Sequence, residues 1–431
     1  MGQLLTGRLP IGRALKHLLL ATASLAALAG TTTAAAAWEL ELDTRLLTVD
    51  RLPPFIDGGL GSLRFGGPWV FRAGDQSGLR LGRARFAVSQ PLGELWSLHV
   101  DASSWGDHDK LPAGLTEAYL QFRPYPHAGY RLRVKVGAFY APISLENRSS
   151  GWESPYTVSY SAIDSWLAEE VRTIGAEATL DWLGTHTGHD FDLGVTGAVF
   201  GWNDGAGAAL ANGGFTLTDR QTVLWGRVGQ PGVPPLHAAE PFREMDGNAG
   251  LYGGVEARYL DRIVLRFLRY DNDANPAAPD PVTHAVAWNT QFNSAGVRVE
   301  GAHGWTGIFQ WLSGATYISP WDTDERWPFR ARYVLLSKRC GSHTLSARYD
   351  WFEVEGYRSG ADDDDDDGWQ KGHAFTVAYL YQPTAHWRFA LEWLRVTSNS
   401  YNREEYFGGP PQVTQTQVQL SVRYALGSLV Q

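Results

Sequence analysis

The sequence predicts an all-β protein: a transmembrane antiparallel β-barrel of about sixteen strands, with short periplasmic turns and long extracellular loops. Three observations predict it. Apolar and polar residues alternate with a period of two, as in YRLRVKVGAF at 130–139, which is the spacing of a strand with one greasy and one wet face. After an N-terminal leader, no stretch has the apolar length of a membrane-spanning helix. Finally, long and short connections between the alternating stretches take turns along the chain.

The leader comes first. Arg8, Arg13, Lys16 and His17 precede an apolar run from Leu18 to Leu28, and Ala35-Ala36-Ala37 stands before Trp38. This is the pattern of a secretory signal, expected over 1–37, with 38–431 as one outer-membrane barrel. Removing three leader bases takes the formal charge from −9 to about −12. A secreted chain without a spanning helix is soluble or a barrel. Trp, Tyr and Phe number 18 each against 2 Met, a density suited to interfacial girdles.

The candidate strands are about 38–48, 79–90, 94–105, 114–123, 130–139, 171–182, 190–202 and 250–260, then 262–271, 292–302, 305–317, 327–338, 343–355, 372–383, 386–399 and 414–426. In LGRARFAV, Arg83 and Arg85 share one face while Ala84, Phe86 and Val88 share the other. In WSLHVDA, Trp96, Leu98, Val100 and Ala102 alternate with Ser97, His99 and Asp101. In TQTQVQLSVRY, Val418, Leu420, Val422 and Tyr424 stand against Gln417, Gln419, Ser421 and Arg423. The stretch 262–271 is irregular, with Arg266 and Arg269 on opposite faces, so one of them must lie near an interface or the strand must bulge. If the first strand starts in the periplasm, the tight turns (PLG, HG, RCGS) fall on one side. The long connections 49–78, 106–113, 140–170, 203–249, 272–291, 318–326, 356–371 and 400–413 fall on the other. A soluble sandwich has no reason to sort its loops in this way.

A charge facing lipid at mid-depth costs about 2–4 kcal/mol, so the apolar face is expected outward and the polar face toward a wet lumen. That rule assigns Arg83, Arg85, Arg131, Arg133, Lys135, Arg298, Arg330 and Arg332 to a basic pore wall. The loop 140–170 carries Glu146, Glu153, Asp164, Glu169 and Glu170 against Arg148. Folded into the lumen, it sets Glu146, Glu153 and Asp164, with Arg148, against the basic wall, an arrangement by which pores select.

Other chemistry is poorly signalled. There is no HExxH, GxSxG, Walker A or CxxC motif, so no catalytic residue, no cofactor and no metal site are expected. Cys340 is alone and forms no intrachain disulfide. His186 and His189 read as a polar periplasmic turn. Asp362 to Asp367 reads as a solvated tip or a loose divalent-cation site.

The segments LGRARFAV, LTEAYLQFRP and RVKVGAFYAPISLE, followed by Arg172-x-Ile174-Gly175, resemble the phosphate-selective porin O/P family. In that family a G-x-F-x-x-P-x-S/G-L-E segment leads into the third, inward-folded loop. Here it is Gly137, Phe139, Pro142, Ser144, Leu145 and Glu146. The resemblance covers about a quarter of the chain. It implies a sixteen-stranded, usually trimeric porin passing anions along an arginine ladder. This sequence departs from the family in its lysines: after the leader there are only Lys110, Lys135, Lys338 and Lys371, and none in 140–170. It also runs past Tyr424 with ALGSLVQ, where such barrels usually end on an aromatic residue.

The expectation is therefore a porin in the outer membrane of a Gram-negative cell. It would pass small hydrophilic solutes by diffusion, with a weak anion preference from an arginine-lined constriction. Its partners would be outer-membrane lipid and lipopolysaccharide, small anionic or polar solutes and copies of itself as a homotrimer, with no nucleic acid. The alternatives are an outer-membrane barrel enzyme with a rim site and, further off, a soluble secreted glycan-binding β-protein.

Overall fold

A computed structural model describes residues 36–67, 76–106, 113–229, 239–277, 285–319, 324–358 and 369–429. The leader up to residue 35, Lys110 and the Asp362–Asp367 run lie outside the described residues. The strands are β1 (Ala37–Val49), β2 (Gly78–Pro91), β3 (Trp96–Ser104), β4 (Ala113–Phe122), β5 (Tyr130–Phe139), β6 (Thr173–Trp182), β7 (Phe191–Gly201) and β8 (Gly250–Tyr259). They continue as β9 (Ile263–Asp271), β10 (Asn289–Glu300), β11 (Trp305–Ile318), β12 (Glu325–Cys340), β13 (His343–Glu355), β14 (Trp369–Tyr381), β15 (Trp387–Ser400) and β16 (Gln412–Gly427). A two-residue ladder at Tyr357–Arg358 extends the pairing of β12. Each strand pairs antiparallel with its sequence neighbours, and β1 closes the ring by pairing with both β2 and β16: Leu42 lies opposite Ala84 on one side and Tyr424 on the other. Closure leaves no sheet edge, which a strand-built structure needs in lipid.

The turns fit their tasks. Leu260 and Asp261 both take φ near +50° in the three-residue link between β8 and β9, where the Arg262 amide donates to the Tyr259 carbonyl at 2.9 Å. Gly341, at φ 59°, reverses the chain between β12 and β13.

Outward faces are apolar over most of the ring. On β5, Leu132 is 42% exposed and Val136 48%, while Arg131, Arg133 and Lys135 turn the other way. No helix among the described residues is long and apolar enough to cross a membrane; the strands, at nine to sixteen residues, are long enough to do so. The ring is taller on one side. Strands β3–β9 run 9 to 11 residues, whereas β10–β16 run 12 to 16.

The interior differs from a water-filled tube. Among the described residues, three α-helices sit in the long connections: α1 (Ala162–Glu170), α2 (Ala208–Gly213) and α3 (Asn402–Phe407). Every residue of α1 is buried, so it has no wet face. Trp166, only 2% exposed, meets Phe292 of β10 at 5.2 Å and Phe329 of β12 at 4.9 Å between ring centroids. Phe215 joins them from the 203–228 connection, and Phe55, Leu63 and Phe65 come from the first long connection.

This inner core overturns two assignments. Along β12 the buried positions are Trp327, Phe329, Ala331, Tyr333 and Leu335. Arg330 and Arg332 therefore point outward, not into the lumen. The period-two rule separated the two faces properly. It then sent the greasy one to lipid, although that face has a helix to pack against inside.

Candidate pore constriction

The connection between β5 and β6 is seated by its own short-range chemistry. Gly137, at φ +133°, lies close against the Ala118 carbonyl and Tyr119 backbone of β4, where a Cβ has no room; the chain leaves β5 just beyond it. Ser144 Oγ accepts from the amides of Glu146 and Asn147 at 3.1 and 2.7 Å and donates to Asp164 at 2.7 Å. Ser161 caps α1, its side chain accepting from the Asp164 amide at 3.2 Å, as in a Ser-x-x-acid start.

The wall then holds this connection from many sides. Glu392 of β15 accepts from the amides of Val158 and Ser159, and Asp350 of β13 from that of Ala162 at 3.1 Å. Gln310 of β11 accepts from the Leu145 amide at 3.0 Å. Arg266 of β9 donates to the Ser144 carbonyl at 2.7 Å. Ser150 lies between Arg85 of β2 and Glu39 of β1, at 2.7 and 3.2 Å. These partners sit on six strands: β1, β2, β9, β11, β13 and β15.

Its charges form two buried knots. In one, Arg348 of β13, fully buried, pairs with Glu146 at 2.7 Å and Asp350 at 2.9 Å and donates to the Tyr160 carbonyl at 2.7 Å. In the other, Glu153 bonds Arg83 and Arg423 and lies 3.7 Å from Arg388; Glu41 shares Arg83 at 2.9 Å and Arg423 at 3.5 Å. Nearby, Arg45 bonds Asp43 and Asp219, and Arg64 reaches Asp219 at 3.0 Å. Burial alone would raise the Asp219 carboxyl, but Arg45 and Arg64 overcome this and hold it far below the usual carboxylate range. Asp164 goes the other way. Burial, then the neighbouring Glu146, push it well above that range. Burial also raises Glu170 to about 7, although it accepts from the Ala209 and Leu210 amides and from the Trp166 indole.

The expected wall-against-loop field is thus realised at one of its points. Arg83 meets Glu153. Arg85 pairs with Asp101 at 2.6 Å and Glu39 at 3.1 Å. Arg131 and Arg133 share Asp181 of β6, the register partner of Arg131, at 3.1 and 2.9 Å. Lys135 is 3.4 Å from Glu177. Arg298 and Arg148 share Glu300 at 3.2 and 3.1 Å. Each of these bases has a carboxylate partner, so the wall is less positive than its arginines and lysine alone imply. Glu39, Glu41, Asp43 and Arg45 of β1 were missed. Their signal was present in WELELDTR, where they alternate strictly with Leu40, Leu42 and Thr44. The part played by 203–228 inside the ring had no periodic signal to betray it.

Among the described residues, polar chambers lie beside the connection, two of them lined by charged side chains. The larger, about 580 Å³, is bordered by Glu39, Glu41, Glu153, Tyr156, Arg388 and Arg423. The smaller, about 120 Å³, is bordered by Arg133, Lys135, Glu177, Asp181, Glu256 and Arg266. Among the described residues no histidine bonds Ser144, Ser149 or Ser150, whereas Ser89 Oγ lies 2.9 Å from His99 Nδ1.

No family model and no curated protein matches this sequence, so the resemblance to the phosphate-selective family rests on the segments quoted for it. Solved structures do match. OmpT in its trimer form, an outer membrane protein of Vibrio cholerae, aligns at 9% identity and a TM-score of 0.50, over 91% of this chain and 99% of that one. The chain has the fold of an outer-membrane barrel. The outer membrane channel DcaP of Acinetobacter baumannii aligns at 10% identity and a TM-score of 0.49, over 91% of this chain and 96% of that one. The anion-selective porin from Comamonas acidovorans aligns at 12% identity and 0.48, over 91% and 99%. At such identities the likeness is one of fold.

Proposed function

We propose that this barrel is an outer-membrane porin for passive diffusion of small hydrophilic solutes, with the connection 140–170 folded into the lumen to set its width. The observation that carries the reading is the pairing of an apolar outer face with charged, partly wet chambers inside the same ring. A barrel that only anchored itself would have no use for charged cavities lined by Arg388, Arg423, Glu41 and Glu153 on one side and Arg133, Lys135 and Glu256 on the other. Selectivity is weak in this reading, leaning at most slightly toward anions, because the bases named above have carboxylate partners. Such paired rows suit neutral and zwitterionic polar solutes, which exchange bulk water for alternating donors and acceptors. Phosphate specificity is not part of the proposal. A homotrimer is, by analogy with the trimer form of OmpT.

Liposome swelling tests it. Vesicles carrying the protein should swell in isotonic solutions of small amino acids and monosaccharides, at rates falling steeply with solute size. No swelling with any solute, from protein whose folded state is verified by its mobility in unboiled gels, would remove the porin reading and revive the enzyme alternative.

A further inference from the structure

The pairing that closes the ring is shortest between β4 and β5. That ladder holds five residue pairs, from Phe122 opposite Val134 to Ala118 opposite Ala138. On its other side β4 pairs with β3 all the way from Phe122 to Ala113. Beyond Phe139 the chain of β5 leaves the wall for the constriction, so the end of β4 near the long connections has no strand beside it. Unpaired backbone groups are costly in lipid, and these are served from elsewhere. The Leu224 amide donates to the Leu115 carbonyl at 2.8 Å, and the Arg172 guanidinium donates to the Thr116 carbonyl.

The cover comes from the connection between β7 and β8 and lies on the outside of the wall. Ala138 is an outward residue of β5, yet it is only 5% exposed. Leu224 and Phe242 pack on it, together with Leu115 of β4 and Ile174 of β6. Val223 lies so close to Gly114 that a Cβ there would meet its side chain at 2.9 Å. The same connection gives Leu210, Phe215 and Leu217 to the inner core, so it passes from the lumen over the rim to the outer face. Trp225, next to the cover, is 61% exposed. Among the described residues, the bond from Leu224 to Leu115 is the one backbone tie of 222–228 to the strands. No strand pairing has to break for this cover to lift.

Behind the cover stands a row of stacked groups. The fully buried Arg172 has its guanidinium carbon 3.6 Å from the Tyr140 ring centroid and 5.3 Å from that of Phe242. Tyr140 stacks in turn on Trp152 of the constriction at 4.2 Å, with the rings 8° apart. Phe242 outside and Trp152 inside are thus the two ends of one row through the seam. Among the described residues Arg172 has no carboxylate partner. It donates to the Thr116, Ala168 and Thr222 carbonyls and to the Tyr140 hydroxyl, and its Nε has no partner. A buried cation without an anion is costly, and an orphaned buried donor marks a place for an acceptor.

We propose that this seam is a side entrance between the outer leaflet and the lumen for amphipathic carboxylic acids. The apolar part of the acid displaces Leu224 and Phe242 from Ala138 and Ile174. Its carboxylate is received by Arg172, and Tyr140 and Trp152 lead it to the constriction. Guanidinium is well matched to carboxylate oxygens, and the apolar outer end gives a fully hydrated solute no reason to enter. This path stands beside the aqueous one and does not rest on it.

The test uses the full-length barrel in lipid nanodiscs, with Cys340→Ser, Leu115→Cys and Leu224→Cys combined so that a disulfide pins the cover. The probe is dodecanoic acid with a terminal diazirine, its light-induced adducts mapped by peptide mass spectrometry. With the thiols reduced, Tyr140 and Trp152 should be labelled. With the disulfide formed, that label should be lost, while label on the outward Val136 and Leu180 persists. Arg172→Gln should lose the inner label, and Arg172→Lys should restore part of it. Swelling rates with monosaccharides should be the same in both redox states, so failure here is separable from failure of the porin reading. Inner label that is equal in the two redox states, or equal for the corresponding alcohol, would overturn the proposal. So would label confined to outward side chains. A disulfide joining two copies of the single variant Leu224→Cys would assign the cover to a contact between copies and overturn it as well.

Discussion

Strands β5 and β12 carry the same alternation and use it in opposite senses. On β5 the bases Arg131, Arg133 and Lys135 turn inward and Leu132, Val134 and Val136 turn outward. On β12 the rings of Phe329 and Tyr333 turn inward, and Arg330 and Arg332 turn outward. What differs is the neighbour. The inward face of β5 opens on a small wet chamber, where its bases find Asp181 and Glu177. The inward face of β12 meets α1 and Trp166, which offer burial and no water. Outside, the ten residues of β5 are spent on lipid, while β12, with 16, has length to carry bases past its apolar stripe. Polarity along a strand separates two faces; what lies opposite each face decides which one turns in.

The comparison can be broken most severely by forcing a charge onto the dry side. Ala331→Arg puts a guanidinium among Trp166, Phe329 and Tyr333 and should cost several kcal/mol, seen as loss of the heat-resistant folded band. Thr196→Arg, facing the smaller chamber from β7, should stay within about 1 kcal/mol of the parent. Next in size, Trp166→Ala removes the ring that joins α1 to β10 and β12. It should lower stability by about 3–5 kcal/mol and raise single-channel conductance as the connection loosens. On the chamber side, Asp181→Asn should cost about 1–3 kcal/mol, since Asp181 is buried while Arg131 and Arg133 stay only partly exposed. It frees two bases, and the reversal potential in a salt gradient should move toward anions.

The last effect is that of pH. Burial raises Glu170 to about 7 from its ordinary 4.5, so the folded state holds this proton more tightly than the unfolded chain does. The stability it contributes is complete below about 4.5 and is lost as pH rises through 7. Melting temperature should therefore fall between pH 5 and pH 8, and Glu170→Gln should flatten part of that slope.

The barrel itself was legible in the sequence because a strand's period and a turn's length are local properties. Each of the stretches read as a strand corresponds to one, including the doubtful 262–271, where Arg269 faces outward near the strand end and bonds Gln291. The interior was only half legible. WELELDTR advertised its inward acids, and Glu153 did find Arg83. The sense of β12 could not be read, because it depends on α1, more than 150 residues away along the chain, and on Phe215 in a connection without periodicity. Arg131 and Arg133 were read as free bases because Asp181 becomes their neighbour only through the pairing of β5 with β6.

Single-channel recording in planar bilayers under a salt gradient tests the central claim most directly, that a lumen narrowed by 140–170 and lined by paired charges still conducts. Small, steady unitary conductance with a reversal potential close to zero, shifted slightly toward anions, is the expected result. Absence of any conductance from folded protein, or a strong preference for ions of one sign, would contradict it.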